Sequence, residues 1–212
     1  MKFTDEPNVA FPNTVLVRQF DGAEALNYAL AKAVRAHATS AVEHGGEPAG
    51  GGFRSGDDFL SASDEGVSEL KAMIGSAASA FAANALPHLY EGAERLRGRL
   101  AIAGWARILR ARQAVPRHTH DGALMTGTYY VSVPKPVFET DAPEGDLMLV
   151  HPGAEALAET APLPLRGEMH IRVNEGMLFL HPAFLPHHVP AFEGGGERLS
   201  VSFAAWPAKG AG

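Results

Sequence analysis

From about Arg99 onward the chain is a series of short apolar runs broken by turn residues, and this spacing limits the fold more than any other feature. Residues 100–109, 124–133, 147–150, 169–173, 177–180, 189–192 and 199–204 have strand character. Pro134-Lys135-Pro136, Pro143-Glu144-Gly145-Asp146, Asn174-Glu175-Gly176 and Glu193-Gly194-Gly195-Gly196 separate them, and all are rich in turn formers. About seven or eight short strands at such spacing make an antiparallel sandwich or jelly roll the expected core.

Ahead of that core the texture is helical. After a short strand at 14–18, Asp21 can cap a helix whose apolar residues Leu26, Leu30, Val34, Ala38 and Val42 recur every four positions, until Gly45-Gly46 stops it. A second helix is expected from near Asp64 to Ala85, with Val67, Leu70, Ile74, Ala77, Ala78 and Phe81 on one face and Pro87 beyond its end. The glycine-rich stretch from Pro48 to Asp57 lacks the lysine and strand-to-helix setting of a phosphate loop, so it reads as a mobile connection or lid. The expected fold is therefore mainly β with α, a jelly roll flanked by two N-terminal helices. A chain of 212 residues suits a single domain, with 1–98 packed on a barrel at 99–206.

Composition narrows the function. A formal net charge of −6 argues against a general grip on nucleic acid or an anionic membrane. The absence of cysteine removes disulfide frameworks and thiolate metal sites, leaving nitrogen and oxygen ligands. No apolar run approaches the roughly 18 residues of a membrane span and the N-terminus has no signal-peptide pattern, so a cytoplasmic protein is the default expectation. Oligomeric state is not encoded in the order of elements, and a homodimer stays open.

Histidine is the unusual residue: seven of ten fall between His118 and His188. On an extended segment, His118 and His120 point to the same face. Leu185-Pro186-His187-His188-Val189 offers a third imidazole, and alternation allows only one of His187 and His188 to point inward. Three such ligands would leave the opposite positions of a metal open. His118 and His120 are expected from one strand and its following turn, His187 from a strand on the opposite sheet. In a hairpin turning at Gly194-Gly195-Gly196, Arg198 and Ser200 would share a face and could clamp a carboxylate, although an ion pair of Arg198 with Glu197 explains the arginine equally well. Ligand imidazoles must be neutral, so metal affinity is expected to fall below about pH 6.5.

The ordered set Trp105, His118-Thr119-His120, Gly127-Thr128-Tyr129-Tyr130, Gly145-Asp146-Leu147, Phe179-Leu180-His181-Pro182, Leu185-Pro186-His187-His188-Val189 and Glu197-Arg198-Leu199-Ser200-Val201-Ser202-Phe203 resembles the 2-oxoglutarate- and Fe(II)-dependent oxygenases. Within them it is similar to a bacterial and phage group with His-x-His at the first motif, and the likeness spans roughly residues 99 to 206. The resemblance implies the double-stranded β-helix form of the jelly roll, with Fe(II) and 2-oxoglutarate as cofactors. His118 and His187 would be metal ligands. His120 would be the third, where the wider superfamily usually has aspartate; a different carboxylate or a degenerate site are the other readings of that departure. Arg198 would bind the distal carboxylate of 2-oxoglutarate with Ser200 beside it, and Tyr130, or Tyr129 in its place, would line that pocket. The implied reaction is hydroxylation of a small-molecule or peptide substrate with release of succinate and CO2.

Two other readings are compatible with a jelly roll. A cupin-like metal protein would use the histidines, but no glutamate follows the pair, and Arg198 and Ser200 would have no role. A non-catalytic binding module would leave all of them structural.

Overall fold

Helix α1 spans Glu24–Ala41 and α2 spans Glu65–Asn84, close to the expected bounds. The computed structural model describes residues 13–41, 49–134, 143–154, 156, 162–163 and 167–209. Val42, Gly45-Gly46, Pro48, Lys135 and Pro136 lie outside them. On α1 the residues Leu26, Leu30, Ala33 and Val34 are buried; on α2 so are Val67, Leu70, Ile74, Ala77, Ala78 and Phe81. Burying each large aliphatic or aromatic side chain of this set stabilises the fold by about 1.5–3 kcal/mol. The helices cross closely at Gly66, where a Cβ would come within 2.9 Å of the Ala29 methyl.

Among the described residues ten strands follow one another: β1 Leu16–Gln19, β2 Phe53–Arg54, β3 Leu100–Leu109, β4 Val115–His118, β5 Met125–Ser132, β6 Leu147–Val150, β7 Glu168–Ile171, β8 Met177–Pro182, β9 His187–Val189 and β10 Arg198–Pro207. They form a six-stranded sheet in the order β1-β8-β5-β10-β3-β2 and a four-stranded sheet in the order β4-β9-β6-β7, with every named strand pair antiparallel. This is the two-sheet jelly roll with two helices expected from the strand spacing.

Period-two alternation on the large sheet decides what each face does. Ala106 and Ile108 of β3, Met125, Tyr129 and Val131 of β5, Leu178 and Leu180 of β8, and Leu199, Val201 and Phe203 of β10 join the core that the two helices cover. The intervening residues face the small sheet. There Leu109, Tyr130 and Phe179 meet Val115, Leu147, Leu149 and Val189 in a second apolar cluster. Polar side chains occupy one end of that inter-sheet space.

Three expectations need correction. His187 is not on the sheet opposite His118: β4 and β9 are neighbours in the small sheet, and His118 and His187 are direct cross-strand partners. No hairpin at Gly194-Gly195-Gly196 joins β9 to β10, because the chain crosses there from the small sheet to the large one, where β10 pairs with β3 and β5. The glycine stretch is no free connection either. Phe53 and Arg54 pair with Ile108 and Arg107, and Gly52, at φ +82, lies so close to the Ile108 carbonyl that a Cβ would clash with it.

Candidate metal centre

The His118 ring, at the end of β4, lies 4.3 Å from that of His187 on β9, centroid to centroid. Two residues past the end of β4, the His120 amide donates to the Ala183 carbonyl at 3.0 Å. This places the His120 ring 5.0 Å from His118 and 5.2 Å from His187. One nitrogen from each imidazole comes within 4.8 Å of the others. His188, pointing the other way, has its Nε2 3.5 Å from the Glu168 carboxylate. Asp121 does not reach an imidazole; it accepts a hydrogen bond from the Thr119 hydroxyl at 2.7 Å.

Local contacts set the tautomers. His118 Nδ1 lies 2.8 Å from the Pro116 carbonyl and His187 Nδ1 3.0 Å from the Leu185 carbonyl. A carbonyl can only accept, so each Nδ1 carries the proton and each Nε2 keeps a lone pair for a metal. Burial and neighbouring positive charge keep the rings neutral. Burial, His118 and Arg54 push His120 down to about 4; burial, then His181 and His118, push His187 to about 2; burial also lowers His118. Three neutral nitrogen donors converging on one point suit a borderline divalent ion such as Fe(II).

The opposing large sheet lines the same pocket with a buried guanidinium and the Tyr130 and Ser200 hydroxyls. Arg198 is 2% exposed, and its Nε donates to the Gly145 carbonyl at 2.7 Å. Its guanidinium carbon lies 5.0 Å from the Tyr130 ring centroid, and Nη1 is 3.5 Å from the Ser200 hydroxyl. The Tyr130 hydroxyl is buried without a hydrogen-bond partner among the described residues, and burial raises its pKa to about 12. A buried, proton-bearing hydroxyl beside a buried guanidinium is a site short of an acceptor, which a carboxylate would supply. Glu197 does not pair with Arg198; it binds Arg35 at 3.0 Å and Arg110 at 2.6 Å. Fully buried Asp146 accepts from the Val173 amide at 3.0 Å and pairs with His170 at 2.6 Å.

His118, His120, His187, Tyr130, Arg198 and Ser200 thus line one pocket. Tyr129 faces away and donates its hydroxyl to Asn27 of α1 at 2.7 Å. Sequence reading missed two inward residues, His181 and Arg107. His181 is 2% exposed, 4.6 Å from the His187 ring, and donates from Nδ1 to the Pro182 carbonyl at 2.9 Å. Both residues follow from alternation, His181 from Phe179 on β8 and Arg107 from Trp105 on β3, once the inward face is known.

Residues 103–204 match the family model described as "Putative 2OG-Fe(II) oxygenase". No curated protein sequence matches the chain significantly. Among solved structures, a Pseudomonas putida prolyl-4-hydroxylase is 16% identical, with a TM-score of 0.58 over 92% of this chain and 93% of that one. HygX from Streptomyces hygroscopicus, solved with nickel and 2-oxoglutarate, is 14% identical with a TM-score of 0.58, covering 92% of this chain and 83% of that one. A prolyl hydroxylase from Trichoplax adhaerens, in complex with a hypoxia-inducible-factor peptide fragment, is 15% identical with a TM-score of 0.59 over 91% and 83%. At these identities the likeness is one of fold. Over the matched segment, just under half of the chain and the part that forms most of the two sheets, the sequence is similar to the 2-oxoglutarate/Fe(II)-dependent oxygenases. No helix among the described residues is long and apolar enough to cross a membrane.

Proposed function

We propose that His118, His120 and His187 hold Fe(II), that Arg198, Ser200 and Tyr130 hold the distal carboxylate of 2-oxoglutarate, and that the enzyme hydroxylates a small-molecule or peptide substrate. The observation that carries this reading is the convergence on one pocket of three neutral imidazoles, the buried Arg198 guanidinium and a Tyr130 hydroxyl with no acceptor among the described residues.

When bound, iron and the 2-oxo acid supply the oxidising chemistry, with succinate and CO2 as products. The chain supplies position and environment. The Pro116 and Leu185 carbonyls hold the His118 and His187 protons on Nδ1, so both rings offer Nε2. Arg198 is aimed by the Gly145 carbonyl, while Tyr130 keeps its proton and can donate to a carboxylate oxygen. Leu147, Val115 and Val189 exclude water from the wall of the pocket.

The test starts with anaerobic protein, Fe(II) and 2-oxoglutarate. A weak visible charge-transfer band should form, and admitting air should yield succinate. Absence of both in the wild type, or equal signals from His187→Ala, would refute the assignment.

A further inference from the structure

We infer that Arg107 is a second anion-binding residue of this pocket, placed to take a carboxylate or phosphate group of the primary substrate; this rests on the oxygenase reading above. Arg107 is the inward residue of β3 between Arg54 on β2 and Ser200 on β10, its direct cross-strand partners. It lines the pocket with His118, His187 and Arg198, and its Nη1 is buried without a hydrogen-bond partner among the described residues.

The neighbouring charges are already accounted for. Arg54 donates to Asp57 at 2.6 Å and stacks 4.6 Å over Trp105. Arg198 has the Gly145 carbonyl and the attraction of Asp146. Glu197 belongs to Arg35 and Arg110. Among the described residues, no acidic side chain lines the pocket. Burial, then Arg54 and Arg198, lower the Arg107 pKa to about 10, so its surroundings oppose the positive charge and it still carries it at neutral pH. A buried guanidinium arm with nothing to donate to destabilises the free protein, and an arriving oxyanion relieves that cost. The 2-oxo acid has two carboxylates, one beside its keto group for the metal and one for Arg198. An anion at Arg107 would therefore come from the other reactant, at the His118 edge of the site, where Arg107 already exerts its field.

The test uses full-length protein loaded with Mn(II), with and without saturating 2-oxoglutarate. The probes are N-acetylglycine, methyl phosphate and, as the uncharged control, N-acetylglycinamide. Paramagnetic relaxation of each probe's methyl protons reports residence near the metal. The anionic probes should be relaxed and the amide should not, and Arg107→Gln should weaken the anion effect about tenfold while Arg107→Lys keeps part of it. Which anion responds more strongly separates a carboxylate substrate from a phosphate one. By calorimetry, Arg107→Gln should leave 2-oxoglutarate affinity within about twofold, and Arg198→Met should abolish it.

Equal relaxation by the amide, or Arg107→Gln behaving as wild type, overturns the inference. So does a loss of 2-oxoglutarate affinity in Arg107→Gln as large as that in Arg198→Met, which would assign Arg107 to the cosubstrate. Without anion, Arg107→Gln and Arg107→Met should melt no lower than wild type; a drop in both marks a structural residue and also overturns it. Failure of the wild type to bind 2-oxoglutarate refutes the cosubstrate reading instead, and the Mn(II)-only and melting comparisons still decide the role of Arg107.

Discussion

The large sheet presents Tyr130, Arg198 and Ser200 from strands of eight and ten residues buried on both faces, whereas the small sheet presents His118 and His187 from strands of four and three. The long strands carry long ladders: β10 pairs along its full length with β3, and with β5 from Leu199 to Ala205 apart from a register shift between Leu199 and Ser200. The short ones pair with a register shift between Val115 and His118. The difference teaches where order comes from. The Arg198 end rests on long ladders and the helix-covered core, while the His118 and His187 imidazoles are oriented by single hydrogen bonds to Pro116 and Leu185.

That contrast can be broken in four ways. Phe203→Ala empties a fully buried position beneath the helices and should cost about 3–5 kcal/mol in urea unfolding, while Mn(II) affinity of the folded protein changes little. Equal damage to both would show that the ends are not separable. His187→Ala should do the reverse, lowering Mn(II) affinity by about 100-fold or more in a metal titration, with stability shifted by about 1 kcal/mol at most.

Acid should also separate binding from folding. His120 and His181 are held down to about 4 and His187 to about 2, whereas the unfolded chain takes up protons near pH 6.5. Between those values the unfolded state binds more protons, so metal-free stability should fall as pH drops from about 6.5 toward 4. Because all three ligand imidazoles are held below their ordinary range, metal affinity of the folded protein should fail at a lower pH than the roughly 6.5 that unperturbed imidazoles would give. Urea melts and metal titrations at pH 7.5, 6 and 5 check both; a stability that does not change with pH would contradict the burial assigned to the rings. The smallest effect belongs to the rim. Glu197→Gln removes partly exposed pairs with Arg35 and Arg110 and should cost only about 0.2–1 kcal/mol in the same melts.

The longer strands of the large sheet were legible because their alternation is written in apolar residues, as in Leu199, Val201 and Phe203, whereas the two-residue β2 was hidden in a glycine-rich stretch. β4 was not, since Val115-Pro116-Arg117-His118 has no apolar alternation to betray a strand. Sheet membership was hidden for a different reason: whether His187 pairs beside His118 or faces it is a long-range choice that no local residue encodes. His118, His120, His187, Arg198 and Ser200 stood out by residue type and order. Arg107 and His181 did not, because a lone arginine or histidine in an apolar strand acquires meaning only when the inward face is known.

Trp105 gives the molecule an optical consequence. Its ring lies 5.3 Å from His120, while the only other tryptophan, Trp206, sits toward the far end of β10, about 13 Å along the strand from Ser202, the partner of Trp105. Emission from Trp105 should be quenched when a paramagnetic ion enters beside His120, and Trp206 should supply a steadier background. A Trp206→Phe variant would then report site occupancy by fluorescence alone, with no added dye.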